Sequence, residues 1–381
     1  MDAPEPLLRS TDARRPAPGG SRSVRPRRIY VDQTHIRGHV TGIERVARDL
    51  FAPERLSPHE VRLVRSRGLP GLLAAQQIGM PWKGMRERDA LLVFPGFPPG
   101  PLCALLGERC ILYVHDTFLL TRPQDLSWKS QLYMAPSFAL AMRYGRRFLV
   151  NSRSTGAELR RVCRQDALVA LLRPAAGDVF GLADLPARPF ASAHGEPLRL
   201  LAIGTIEPRK NYPAALAIIA ALNRMGVPAE LHIVGRVGWG RHPFLDDPPP
   251  FLTLHGYVDD AGLRRLVETS HLLLSTSKAE GLGLPLLEVQ HGGLPVAAPI
   301  GAVFEEVLGA SGLFLRPEDP DAAAASIAGW ARDGRLAAAA SAARANVAAW
   351  NREAEDDAAR FRDFLARGPA AYAKSGTVAT T

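Results

Sequence analysis

The sequence predicts an α/β protein made of two doubly wound parallel-sheet domains, and three observations predict it. Short apolar runs of four to six residues alternate with helix-length amphipathic stretches, the pattern of parallel sheets with buried strands. That pattern fades into Gly, Pro, Ala and Asp between residues 175 and 197 and then starts again. At 381 residues the chain also exceeds the size at which one core keeps growing.

The first domain is expected over 27–178, after a basic, disordered arm at 1–26. Residues 28–32 read as its first strand, and a helix follows with Ile43, Val46, Ala47 and Leu50 on one face. Thr41 and Glu44 have the spacing of a capping box, and Gly42 between them would let a ligand approach free backbone N–H groups. From the spacing alone, a well-capped structural helix is the favoured reading. Further strands are expected at 61–64, 91–94, 111–114, 147–150 and 168–171. The Pro/Gly cluster at 95–101 is a loop, 125–144 a long helix, and another helix begins at Ser152. The strand at 111–114 ends in His115-Asp116-Thr117, titratable groups just past a strand's carboxyl end, where open sheets hold ligands.

A linker is expected at 179–197, a second domain at 198–350, a closing helix at 351–367 and a disordered tail at 368–381. Strands of the second domain are read at 199–203, 231–235, 252–256, 272–276, 294–298 and 312–315, and alanine-rich helices at 321–365.

Composition narrows the function classes. With 46% hydrophobic and 22% charged residues the chain is of ordinary globular type. No apolar run reaches the 18 or so residues of a membrane span. Cys103, Cys110 and Cys163 fit neither a disulfide framework nor a metal-ligand spacing, so they read as buried small hydrophobes in a reducing cytoplasm. Residues 1–195 hold 29 Lys and Arg against 17 Asp and Glu, a net of +12; the remainder holds 18 against 21, a net of −3. Only the first half is therefore built to meet an acidic partner. Zinc-finger and RNA-binding signatures are missing, which argues against nucleic acid and for an anionic membrane surface or lipid-phosphate substrate. An arginine-rich surface of no functional meaning is the competing reading.

The chemistry concentrates past three strand ends of the second half: 204–210, 235–240 and 280–288. On one parallel sheet these loops share an edge and can converge on one ligand. Arg209 supplies a guanidinium fork and Lys210 a point charge, suited to a diphosphate. Gly281, Leu282, Gly283 and Leu284 offer backbone amides ahead of a helix that Pro285 helps to start. Carboxylates accept paired hydrogen bonds from vicinal diols, which suits Glu288 to a ribose and Glu280 to a pyranose. Structural alternatives are an Arg209–Glu207 pair and a solvated Glu280. No dinucleotide fingerprint and no Walker loop occurs. Asp319-Pro320-Asp321 reads as a helix start rather than a metal site. Neither a cofactor nor an essential metal is expected.

These residues resemble the retaining glycosyltransferases of family 4, which have two Rossmann-like domains facing a cleft in the GT-B arrangement. The segment EGLGLPLLE at 280–288, continued through Val296, is similar to the family's glutamate–glycine signature, with Leu282 for the usual Phe. GTIEPRKN at 204–211 resembles its phosphate loop, and EVLG at 306–309 the segment behind the donor. In the first domain VHD at 114–116 and TGIERV at 41–46 resemble polysaccharide and O-antigen glycosyltransferases; Asn151-Ser152 resembles the family's serine before the next helix, and Trp350 its late tryptophan. The likeness spans residues 28–366.

The resemblance implies that Glu288 binds the nucleotide ribose and Glu280 the transferred sugar. Arg209 and Lys210 would stabilise the leaving diphosphate, with Arg209 replacing an arginine that many members carry where Thr205 stands here. His115 would contact the donor sugar near its anomeric carbon, the Gly42 loop would face the donor phosphates or the acceptor from across the cleft, and Gly204 would belong to the donor's phosphate loop. It implies a metal-independent, retaining hexosyltransferase, mannose from GDP-mannose first, acting on a growing glycan or polyprenyl-diphosphate-linked acceptor in surface polysaccharide or lipopolysaccharide synthesis. The setting would be the cytoplasm, peripheral to the inner membrane. Rival readings are a sugar-nucleotide epimerase or hydrolase on the same fold, and a catalytically silent glycan-binding subunit.

Overall fold

The computed structural model describes residues 26–36, 42–126, 128–186 and 196–368. Nearly all of the expected arm, the Thr41 cap, residues 187–195 of the expected linker and nearly all of the tail lie outside the described residues.

Two six-stranded, all-parallel sheets form the framework. The first contains β1 (Arg28–Asp32), β2 (Glu60–Val64), β3 (Leu91–Phe94), β4 (Cys110–Val114), β5 (Arg147–Val150) and β6 (Leu168–Leu171), in the order β2-β1-β3-β4-β5-β6. The second contains β7 (Leu198–Ile203), β8 (Ala229–Val234), β9 (Leu252–Gly256), β10 (Leu272–Leu274), β11 (Val296–Pro299) and β12 (Gly312–Leu315), in the order β12-β11-β10-β7-β8-β9. Strand order therefore reverses between β1 and β3 in one sheet and between β7 and β10 in the other. Loops leaving the carboxyl ends at such a reversal splay to opposite faces and open a crevice.

Burial on both faces explains the near-continuous apolar strands. In the first domain Leu92, Leu112, Phe148 and Val169 pack beneath the helices on one face. Ile29, Val31, Ile111 and Leu149 face helix Gly42–Leu50 and, unexpectedly, Phe361 and Phe364 from the end of the chain. The closing helix expected at 351–367 is the second half of a 33-residue helix, Arg335–Arg367. Leu336 lies in one second-domain core and Val347 and Trp350 in the other, while Phe361, Phe364 and Leu365 are buried in the first domain. Burying each such side chain is worth roughly 1.5–3 kcal/mol, so this helix fastens the two domains together.

Polar bonds reinforce the crossing. Trp350 Nε1 donates to Pro174 O at 2.9 Å, Asn351 exchanges two hydrogen bonds with Ala176, and buried Arg173 pairs with buried Asp357 at 3.1 Å. Leu182 and Leu185, within the expected linker, are buried in the second-domain core.

Some helices differ from expectation. The segment 125–144 breaks into Trp128–Tyr133 and Ala135–Tyr144, because Pro136 sits in the first turn of the second helix and cannot continue the first. Residues 68–86, with no expected element, form Gly68–Ala74, a π-turn at Ala75–Gly79 and Met80–Arg86. The proline loop at 95–101 runs on into a 3-10 helix, Pro101–Arg109, kinked at Gly107. Side-chain caps start three helices: Ser152 accepts from Thr155 N, Asp259 from Gly262 N and Asp319 from Ala322 N. Among the described residues no helix is long and apolar enough to cross a membrane.

Candidate active site

Loops from both sheets enclose a cavity of about 350 Å³ between the domains; of the three loops expected to converge, 204–210 and 280–288 supply lining residues and 235–240 supplies none. Gly42, His115 and Asp116 line it from the first domain. Gly204, Arg209, Lys210 and the run Glu280 to Pro285 line it from the second. Glu288 lies off this lining.

The second-domain side stands at the β7/β10 reversal. After β7 the chain makes a 3-10 turn, Pro208–Lys210, which brings Arg209 and Lys210 to the crevice. Thr276 Oγ1, past β10, donates to Lys210 O at 3.1 Å and Asn211 O at 3.0 Å, tying the two loops together. Tyr212 OH donates to Gly204 O at 2.8 Å. Gly204 has φ +148°, and a Cβ there would fall 2.8 Å from Lys210 Cε, so only glycine lets the lysine lie against the loop.

Glu280 sits between the two cations. Lys210 Nζ donates to its Oε1 at 2.6 Å and Arg209 Nη1 to its Oε2 at 2.8 Å. Arg209 Nη2 also donates to Glu207 at 2.5 Å, so the structural alternative of an Arg209–Glu207 pair coexists with the functional one. The guanidinium rests 5.5 Å from the centre of the Phe118 ring, a contact across the cleft. Burial by itself would raise the Glu280 pKa, but Lys210 and Arg209 outweigh it and hold the carboxyl at about 2. Two cations and two carboxylates thus nearly cancel. A diphosphate can draw on the cations fully only if Glu280 is released to other partners, such as sugar hydroxyls.

From the first domain His115 is buried, and burial lowers its pKa to about 4 although Pro95 O partly opposes this. The imidazole is therefore neutral at pH 7. Its Nε2 lies 2.6 Å from Pro95 O, which can only accept, so Nε2 carries the proton and Nδ1 is the acceptor. Asp116, adjacent in sequence, was not singled out as a site residue. Burial raises its carboxyl to about 6, against the hydrogen bond from Phe118 N and the charge of Arg209. Its spacing past β4 was the available signal.

The glycine loop bears on the first domain. A Cβ on Gly281 would lie 2.2 Å from His115 O, so a side chain there cannot fit without separating the domains. Gly281 O accepts from Ser152 Oγ at 3.1 Å and Thr155 Oγ1 at 3.0 Å. Glu306, in the EVLG segment, reaches across to accept from Arg153 N and Ser154 N at 2.7 and 2.9 Å. The helix after this loop, Leu284–Glu288, has only five residues before a 3-10 turn. Few peptide dipoles are summed there, and the expected dipole contribution is correspondingly small.

Glu288 is 3% exposed and forms an ion pair with Arg45 of helix Gly42–Leu50. Burial raises its pKa to about 7; Arg45 lowers it and Asp260 raises it further. Arg45 was also missed, since a partner 243 positions away leaves no local pattern.

Two parallel-sheet domains closing on a cleft, with cations, a carboxylate and glycine loops at a strand-order reversal, define a GT-B protein. Residues 197–333 match the family model for glycosyl transferases group 1. The fold is therefore of the GT-B kind, and the match to glycosyl transferases group 1 lies in its second domain.

A serotype-specific mannosyltransferase, WbdA of Escherichia coli, is 32% identical over 137 residues, 34% of this chain and 16% of that protein. The O-antigen chain mannosyltransferase B of Escherichia coli is 27% identical over 232 residues, 58% of this chain and 60% of that protein. The chain thus spans less than two thirds of the length of either relative. Among solved structures, the glycosyltransferase WaaG, involved in lipopolysaccharide biosynthesis, aligns with TM-score 0.63 at 14% identity, covering 90% of this chain and 100% of that one. HepE of Anabaena in complex with UDP and glucose aligns with TM-score 0.60 at 16% identity, covering 87% and 99%. At these identities the structural likeness concerns the fold.

Proposed function

We propose that the protein is a glycosyltransferase that moves a sugar from a nucleotide diphosphate to a growing glycan or polyprenyl-diphosphate-linked acceptor in surface polysaccharide synthesis. The observation that carries this reading is the Arg209–Glu280–Lys210 cluster, two buried-side cations bridged by one carboxylate at the β7/β10 crevice. Such a cluster answers a ligand with both phosphate and hydroxyl groups. In the proposed cycle the diphosphate takes over the cations, and Glu280 turns to the sugar hydroxyls. Glu288 exchanges Arg45 for the ribose diol.

Neutral His115, with Nδ1 unprotonated, contacts the donor sugar near the anomeric carbon, and Gly42 faces the donor phosphates. Leaving-group stabilisation by Arg209 and Lys210 then dominates, with front-face attack and retained configuration, because Glu280 and Glu207 are engaged with cations rather than poised as nucleophile and acid. Closing Gly281 onto Ser152 and Thr155 excludes water from the transfer. Mannose carried by GDP is the first donor to try, since both Escherichia coli relatives are named mannosyltransferases.

A thermal-shift panel of nucleotides and sugar nucleotides tests the reading, since a bound ligand stabilises by RT ln(1+[L]/Kd). GDP and GDP-mannose are expected to raise Tm, and transfer to a glycan acceptor to persist in chelator. No response to any sugar nucleotide would overturn the reading. Donor turnover at full rate without acceptor would favour an epimerase or hydrolase, and binding without turnover a silent subunit. Loss of transfer in chelator would overturn the metal-free proposal.

A further inference from the structure

The first domain presents an outward apolar face that the mechanism does not use. Along 68–86, Ile78, Trp82 and Met85 stand at i, i+4 and i+7 and are 65%, 54% and 46% exposed, while Leu72, Gln76 and Met80 are buried. The 3-10 helix Pro101–Arg109 repeats the arrangement, with Leu102 and Leu105 outward and Cys103 and Leu106 inward. The two elements touch: a Cβ on Gly84 would meet Leu106 Cδ1 at 2.6 Å, one on Gly100 would meet Gln77 Oε1 at 2.6 Å, and Arg109 Nη1 donates to Gly84 O at 2.6 Å. The connections β2 to β3, β3 to β4 and β4 to β5 all advance the same way across the sheet. Right-handed crossovers therefore put them on one face.

The charge of this face is predominantly positive. No Asp or Glu occurs in 68–86 or in 126–157, whereas Lys83, Arg86, Arg143 and Arg146 do; the one carboxylate of the 3-10 helix, Glu108, is paired with Arg147 at 2.6 Å. The Arg86 guanidinium lies 5.2 Å from the Trp82 ring centre and that of Arg143 lies 5.7 Å from the Tyr144 ring. Apolar and aromatic tips ringed by arginine and lysine, on helices too short to span a bilayer, are the make-up of an element that lies in a membrane interface. Two copies of this face would set like charges against each other, which disfavours self-association through it.

We propose that this face docks on a membrane surface containing anionic lipid, inserting Ile78, Trp82, Met85, Leu102 and Leu105 and setting Lys83 and Arg86 against lipid phosphates. The segment after β3 runs from Pro95, whose carbonyl holds His115, to Gly100 at the edge of this face. A lipid-borne acceptor would therefore arrive beside the cleft. The proposal does not depend on the donor reading, because docking is measured without nucleotide.

The test is co-sedimentation of the full chain with phosphatidylcholine vesicles, with and without phosphatidylglycerol. Binding is expected only with phosphatidylglycerol, weakening as salt rises. Ile78→Ser/Trp82→Ser/Leu105→Ser should reduce partitioning by about tenfold or more, and Lys83→Gln/Arg86→Gln should reduce it and flatten the salt dependence. Because these side chains are outward, unchanged circular dichroism and Tm are expected for both variants. Binding to both vesicle types alike, or binding that survives the triple substitution, would overturn the proposal. So would absent vesicle binding together with a dimer that the triple variant dissolves.

Discussion

Glu280 and Glu288 share one loop-and-helix segment, yet their surroundings differ in every electrical respect. Glu280 is embraced by Arg209 and Lys210 of its own domain and is held near pKa 2. Glu288 has one cation, Arg45, from the other domain, and burial pushes it to about 7. The difference teaches that a repeated acidic motif can supply two kinds of group. One carboxylate is permanently charged and restrains two cations. The other is tuned by whatever crosses the cleft to meet it.

The largest effect is expected where the charged end loses its cation. Lys210→Ala should lower kcat by about 10²–10³-fold, the usual scale for removing a group that stabilises developing charge, with circular dichroism unchanged. Near wild-type turnover would remove Lys210 from the proposed chemistry.

Next in size is the contact that joins the two ends to the first domain. Gly281→Ala places a methyl 2.2 Å from His115 O, so transfer should fall by roughly tenfold or more, as it does when reacting groups are displaced by about 1 Å. Nucleotide binding to the second domain should be retained in titration calorimetry. A fully active Gly281→Ala would show that closure does not use this approach.

The smallest effect separates the carboxylates by pH. Glu288 has a folded pKa above its unfolded value of 4.5, so its favourable contribution is complete below about 4.5 and is lost as pH rises through about 7. Wild-type stability should therefore decline between pH 5 and 8 relative to Glu288→Gln, by up to about 3 kcal/mol, in urea midpoints. Glu280, depressed to about 2, contributes stability above 4.5 that is lost only as pH falls toward 2. Parallel pH profiles for wild type and Glu288→Gln would contradict the assignment.

Much of this was legible in the sequence for a physical reason. Strands of parallel sheets are apolar on both faces, so runs such as 91–94 and 147–150 announce themselves, and β3 and β5 span those residues. The glycine loops at 204 and 281–283 were legible because backbone geometry admits little else there. The helical stretch 68–86 was not, since Pro70, Gly71, Gly79 and Pro81 interrupt it and the π-turn Ala75–Gly79 shifts the phase of its apolar face. Arg45 on Glu288, Ser152 and Thr155 on Gly281, and Phe361 in the first-domain core were invisible for another reason. Each pairs residues more than a hundred positions apart, and only the closed domains bring them together.

The central proposal is a division of labour, with Glu280 at the sugar and diphosphate end and Glu288 at the ribose end. Titration of GDP into wild type, Glu280→Gln and Glu288→Gln tests it most directly. Glu288→Gln should weaken GDP by about tenfold or more, the cost of a lost hydrogen bond to a charged group. Glu280→Gln should bind GDP as tightly as wild type or tighter, because Arg209 and Lys210 are freed for the diphosphate. Equal loss in both variants, or no loss in Glu288→Gln, would contradict it.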